Sequence, residues 1–265
     1  MTKELQKPCS RTQLVRFCFA MVAAFALLPL PLAHAIIWSK EQSAQIGREP
    51  SDVMQSVVKL HYTPLHVFGG CGVLVDSRHV LTAKHAVDSW PIEMVSIAIG
   101  GEFFAAESIA KHPVKGVDLA LIRLRRTVSD SIDCQRVSLC RSKPKAGDRV
   151  WLGGYGLSGW VGHALLGGNF ASGHNRIEQV TNHRGKIRFD APEAENTEGD
   201  EVFPALLDSG SPVFIRRGDS WLLVGITTTV SNRLSPSLGN HSHHELLAES
   251  RKWLDENLPD LKWHE

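Results

Sequence analysis

Gly72-Val73-Leu74-Val75-Asp76-Ser77-Arg78-His79-Val80-Leu81-Thr82 is two short apolar runs around a polar turn. Such a pattern predicts an antiparallel hairpin, and it sets the style of its surroundings. Before it, Ser56-Val57-Val58-Lys59-Leu60-His61-Tyr62 reads as a strand. After it, Val95 to Ile99 and Phe103 to Ala105 flank a tight turn at Gly100-Gly101, and Val117 to Leu124 is apolar again. A linker-like stretch runs from Arg126 to Gly147. The style then repeats at Arg149–Leu152, Arg176–Val180, Lys186–Phe189, Pro212–Ile215 and Trp221–Ile226. Many short strands with glycine-rich turns predict an all-β sandwich or barrel. Only the C-terminus reads as helical. Ser242 is placed to cap a helix whose apolar face is Leu246, Leu247, Trp253, Leu254 and Leu258, with Pro259 closing it.

With 265 residues, 43% hydrophobic and 22% charged, the chain suits one large domain or two small ones. Of its 29 basic and 28 acidic residues, four bases (Lys3, Lys7, Arg11, Arg16) and one acid (Glu4) precede residue 36, which leaves 25 against 27. A near-neutral body offers little attraction to nucleic acid or anionic lipid. The N-terminus itself reads as a secretory signal: a basic stretch, an apolar run from Phe17 to Leu32, then Ala33-His34-Ala35 as a small-x-small cleavage site. A membrane anchor or buried helix is the alternative, but the run is short for a span and Pro29 and Pro31 interrupt its end. Cleavage would leave Ile36 first. The expected product is secreted or periplasmic, without stable membrane association. Removal of residues 1–35 also removes Cys9 and Cys18, leaving Cys71, Cys134 and Cys140. Cys134 and Cys140 are spaced to close a small disulfide loop, and Cys71 to pack as a small hydrophobe in a strand. No Cys or His spacing suits a metal. His241, His243 and His244 cluster, but beside a polar helix start they read as solvated or capping residues. No cofactor is implied.

Three local features carry chemistry together. Leu81-Thr82-Ala83-Lys84-His85-Ala86 sets a histidine just after an apolar strand. Val117-Asp118-Leu119-Ala120-Leu121 sets one carboxylate at the head of another. Leu207-Asp208-Ser209-Gly210-Ser211-Pro212 sets a serine in a tight turn before a third. Singly, each has an ordinary structural explanation: a stray histidine, a solvated strand end, a common turn. Jointly they supply what acyl transfer requires: a nucleophile, an imidazole to take its proton, and a carboxylate to fix the tautomer.

In this order and context the blocks resemble those of trypsin-like serine proteases of the chymotrypsin fold. Leu81–His85 is similar to that family's apolar-Thr/Ser-Ala-Ala-His block, with Lys84 in place of the second alanine. Asp118-Leu119-Ala120-Leu121 is similar to its Asp-aliphatic-Ala-Leu block, and Asp208-Ser209-Gly210-Ser211-Pro212 to Asp-Ser-Gly-Gly-Pro. The Ser-Gly-Ser-Pro form also occurs in bacterial glutamyl-endopeptidase-like members. Gly69–Leu74 resembles the Gly-rich strand before the histidine, Gly154-Tyr155-Gly156 the Gly-Trp-Gly turn, and Val224–Thr228 the strand that pairs with substrate backbone. The resemblance implies two packed six-stranded antiparallel β-barrels with a C-terminal α-helix. Residues 36–140 would form the first barrel, 141–240 the second, and 241–265 the helix and tail. It implies a secreted serine endopeptidase acting on protein or peptide substrates, with catalytic His85, Asp118 and Ser209.

Further roles follow from the same resemblance. The backbone N–H groups of Leu207 and Ser209 would form the oxyanion hole. Glycine is usual at the first of these places, so Leu207 leads to two expectations: a hole assembled only with substrate, and faster turnover in Leu207→Gly. Phe203, Thr228, Thr229 and Val230 would shape the substrate pocket, and Thr228 is in reach of a bond to Asp118. Phe203 brings no charge for an Arg or Lys side chain. Thr227 stands where glutamyl-specific members place histidine. Ala86 replaces the cysteine of the family's disulfide beside the catalytic histidine. Asp208 matches the aspartate that receives a newly cut N-terminal amine, which makes Ile36 its candidate partner; local backbone bonds are the alternative. Two other functions stay open: a protease-like binding protein that has lost turnover, and an esterase on another fold, for which the Gly-x-Ser-x-Gly elbow is missing.

Overall fold

The computed structural model describes residues 33–34, 36–39, 51–132, 134, 136–161, 166–194, 201–232 and 235–265. Apart from Ala33-His34, the signal-like segment lies outside the described residues. Leu32–Glu265 form one compact unit. Among the described residues no helix is long and apolar enough to cross a membrane.

Six strands close the first barrel: β1 (Val57–Tyr62), β2 (Val67–Leu74), β3 (His79–Thr82), β4 (Val95–Ile99), β5 (Glu102–Lys111) and β6 (Ala120–Leu124). Their order around the ring is β1-β2-β3-β6-β5-β4. Six more close the second: β7 (Arg149–Gly154), β8 (Ala171–Thr181), β9 (Arg184–Arg188), β10 (Pro212–Arg217), β11 (Ser220–Val230) and β12 (His241–Leu246). Here the order is β7-β8-β9-β12-β11-β10, the same topology again, with Leu139–Cys140 and Trp263–His264 added outside β11. The two-barrel architecture expected from the sequence is therefore present.

Successive side chains of a strand face opposite ways, and here both faces are buried. In β2, Leu74 points into the first barrel's core while Val73 joins the layer between the barrels; Val80 and Leu81, and Ile122 and Leu121, divide the same way. This explains why these strands read as continuous apolar runs. From the second barrel, Trp151, Phe214, Leu223 and Ile226 complete that middle layer.

Three expectations need correction. The C-terminal helix, α2 (Arg251–Asn257), begins well after Ser242. His241–Leu246 is instead strand β12, paired with both β9 and β11, because closing the ring outweighs the cap signal. Trp253 and Leu254 on the helix, Leu247 in the turn before it and Leu258 just after it still pack against the middle layer. Secondly, Cys134 and Cys140 are not joined in a disulfide. Cys134 packs on the first barrel's core and Cys140 lies inside the second's, so six residues of separation carry them into different cores. Cys71 is fully buried in β2, as expected. Thirdly, His244 is neither solvated nor a cap: it is fully buried on β12.

Candidate active site

The end of β3 leads directly into a short helix, α1 (His85–Asp88). Asp118, two residues before β6, is close to it in space. His85 and Asp118 thus meet through the β3–β6 pairing, which sets Thr82 opposite Ala120. One carboxylate oxygen of Asp118 accepts the His85 backbone N–H at 2.9 Å and the other the Nδ1–H at 2.6 Å. That leaves Nε2 as an acceptor, and the Ser209 hydroxyl from the second barrel donates to it at 2.8 Å. Burial pushes the Asp118 carboxyl up. The two hydrogen bonds from His85, with the charge of Lys84, outweigh burial and hold it below the usual range. Asp118 therefore stays an acceptor at neutral pH.

Ser209 sits in a turn fixed from behind. Cys71 donates its N–H to the Ser209 carbonyl at 2.8 Å, and Thr82 Oγ1 donates to the Cys71 carbonyl at 2.7 Å. Gly210 passes so close, with φ of 89°, that an added Cβ would meet the Cys71 carbonyl oxygen at 1.9 Å. The Asp208, Gly210 and Ser211 N–H groups bond Ala205, Thr227 and Asp208 carbonyls. Those of Leu207 and Ser209 have no hydrogen-bond partner among the described residues. Leu207 already holds the left-handed conformation that glycine prefers, with φ of 73°. The Leu206 carbonyl accepts from Leu157 N–H at 2.8 Å, which turns the Leu206–Leu207 peptide oxygen toward that strand and away from the turn. Both N–H groups are therefore open to an incoming acceptor.

The matched family model is the trypsin-like peptidase domain, over residues 70–226. The chain belongs to the trypsin-like peptidases. No curated protein resembles it closely enough to be matched. Peptidase activity and protein substrates follow from the family; the individual roles of its residues rest on the geometry.

Other anticipated peptidase residues fall unequally. Thr228 and Val230 line a small cavity beside Ser209, with Ala205, Leu206 and Thr227. Thr229, lying between them on β11, turns to solvent, as the alternation of a strand requires. Phe203 is fully buried rather than lining the cavity. The Thr228 hydroxyl donates to the His243 carbonyl at 3.1 Å, not to Asp118.

Asp208 is fully buried and accepts three backbone N–H groups: Gly156 at 2.9 Å, Ala205 at 2.9 Å, and Ile36. Burial pushes its carboxyl up to about 7, against those three bonds. The local backbone bonds of Asp208 are thus present, and in the uncut chain the third donor is the backbone N–H of Ile36, itself buried. Ile36–Trp38 is a strand between Leu157–Trp160 and Val202–Phe203.

Two features of the peptidase site escaped sequence reading. Cys71 packs its thiol against the Leu207 carbonyl and the Tyr155 N–H. Arg184 of β9 reaches across to the Gly116 carbonyl at 2.9 Å, two residues before Asp118, and is itself held by buried Glu245 at 3.1 Å. Neither has a local signal, because each depends on partners far away in the chain.

Proposed function

We propose that this peptidase is an exported serine endopeptidase that works through an acyl-enzyme on Ser209. The observation that carries the reading is the Ser209–His85–Asp118 chain of hydrogen bonds, 2.8 and 2.6 Å long. Ser209 Oγ attacks the scissile carbonyl carbon as His85 Nε2 takes its proton. His85 then gives that proton to the leaving amine as the C–N bond breaks. Water, deprotonated by His85, attacks the acyl carbon, and Ser209 regains its hydrogen. Asp118 keeps the proton on Nδ1 and stabilises the imidazolium. The N–H groups of Leu207 and Ser209 receive the negative oxygen of the tetrahedral intermediate.

Processing before Ile36 belongs to the same proposal, and two observations support it. Asp208 is a buried carboxylate whose partners are neutral N–H groups, and a new amine at Ile36 would bring a positive charge to it. Ile36 also has φ of 76°, a costly conformation for a β-branched residue. Cutting the preceding peptide bond removes the carbonyl that defines that angle, and with it the strain.

A fluorophosphonate probe tests the core of the reading. Labelling is expected in the wild type and lost in Ser209→Ala. Asp118→Asn should lower kcat by roughly 10³–10⁴-fold, by favouring the wrong tautomer of His85. An unlabelled wild type carrying the Ile36 terminus would instead favour a binding protein without turnover.

A further inference from the structure

The cavity beside Ser209 has a volume of only about 20 Å³. That is room for roughly one water-sized group. Its walls Ala205 and Val230 pack on an apolar cluster of Phe189, Phe203 and Ile37. The two phenylalanine rings stack with centroids 5.2 Å apart and an interplanar angle of 16°, and both are fully buried. A packed aromatic layer therefore lies directly behind those walls, together with Ile37 of the N-terminal strand. Close-packed interiors of this kind resist insertion of extra volume.

The polar character of the pocket is slight and uncharged. Thr227 Oγ1 lies 3.1 Å from His244 Nδ1, and His244 Nε2 lies 2.9 Å from Ser242 Oγ. All three residues are buried. Burial of His244, with the charge of His243 adding to it, lowers its pKa to about 3, so the imidazole behind Thr227 is neutral. Among the described residues that line the cavity, none is charged.

We infer that this site cleaves after small uncharged residues, namely glycine, alanine or serine, and that Phe203 and Val230 set that limit by filling the space a larger side chain needs. The inference rests on the serine-peptidase reading above and names its substrate class. A longer side chain must displace a stacked ring or stay in water. One methylene in an apolar pocket already changes kcat/KM by about 10- to 200-fold. A whole phenyl group is expected to cost at least about 100-fold.

The test is a series of peptide amides identical except for the residue before the scissile bond: Gly, Ala, Ser, Leu, Phe, Lys and Glu. Expected is a kcat/KM for Ala at least about 100-fold above those for Phe, Lys and Glu. Phe203→Ala should raise Leu and Phe at least about tenfold relative to Ala. Val230→Gly, a change at the half-buried rim, should act in the same direction. Should Phe203→Ala fail to fold, the wild-type ratios and Val230→Gly decide. Wild-type cleavage after Phe or Leu within about threefold of Ala overturns the inference, as does an unchanged preference in folded variants. Fluorophosphonate labelling of Ser209 separates the two failures. A labelled enzyme preferring large residues rejects only the pocket assignment; an unlabelled, inactive protein rejects the peptidase reading with it.

Discussion

Leu207 and Gly210 flank the reactive serine turn with the same backbone requirement and opposite means of meeting it. Both have positive φ, 73° and 89°. Leucine pays about 1–2 kcal/mol for that conformation, and it does so in a turn where the N–H groups of Leu207 and Ser209 have no hydrogen-bond partner among the described residues. Leu207→Gly should therefore stabilise the fold by up to about 1 kcal/mol, after the greater chain entropy of glycine is subtracted. Leu207→Ala should show no such gain, since its Cβ keeps the strain. Denaturant unfolding of the two variants checks this. Gly210 has no such latitude, because the Cys71 carbonyl occupies the space of any Cβ. Gly210→Ala is expected to destabilise by at least about 1–3 kcal/mol. It should also separate Ser209 from His85, seen as lost fluorophosphonate labelling.

At the scale of elements, the N-terminal strand Ile36–Trp38 does the most for its length. Its Ile36 N–H reaches Asp208, while Ile37 packs with the aromatic layer behind the pocket walls. The pH dependence has a definite sign. The Asp208 carboxyl, raised from 3.8 to about 7, binds its proton more tightly folded than unfolded. Its contribution is full below 3.8 and is lost as pH rises through about 7. In a chain cut before Ile36 the ammonium would pair with the ionised form and remove that loss. The stability of the cut form over one keeping an extra residue should thus grow between pH 4 and 8, by on the order of 4 kcal/mol. Parallel melting curves for the two forms across that range would refute the pairing. The short C-terminal helix makes the opposite point: a serine with capping chemistry, Ser242, is absorbed into β12 because a barrel needs its sixth strand.

Across the whole molecule, the proposed catalytic groups His85, Asp118 and Ser209 are divided between two barrels, so their register depends on ties between the barrels. One is the Cys71–Ser209 backbone bond. Another runs from Glu245, fully buried, through Arg184 to Gly116 beside Asp118, with His183 on the second Glu245 oxygen at 2.5 Å. Arg184→Ala leaves that carboxylate without its guanidinium partner, with the His183 imidazole still on its other oxygen. Because Arg184 is 45% exposed, we expect a loss of about 1–3 kcal/mol rather than the larger figure for a fully buried pair. We also expect a fall in kcat greater than the rise in KM, and Arg184→Lys should restore it only in part, lacking the guanidinium's fork. From the sequence alone, the chain's β architecture and the three reactive blocks were legible. Apolar periodicity and turn chemistry are local, and the His, Asp and Ser blocks each carry their immediate neighbours. What only the tertiary structure decided are contacts between distant segments: Cys134 and Cys140 in separate cores, the left-handed Leu207, buried His244, the Phe189–Phe203 stack and the Arg184 tie. Each depends on which strand lies beside which, and strand pairing follows from closing two barrels, a property that no short stretch of residues contains.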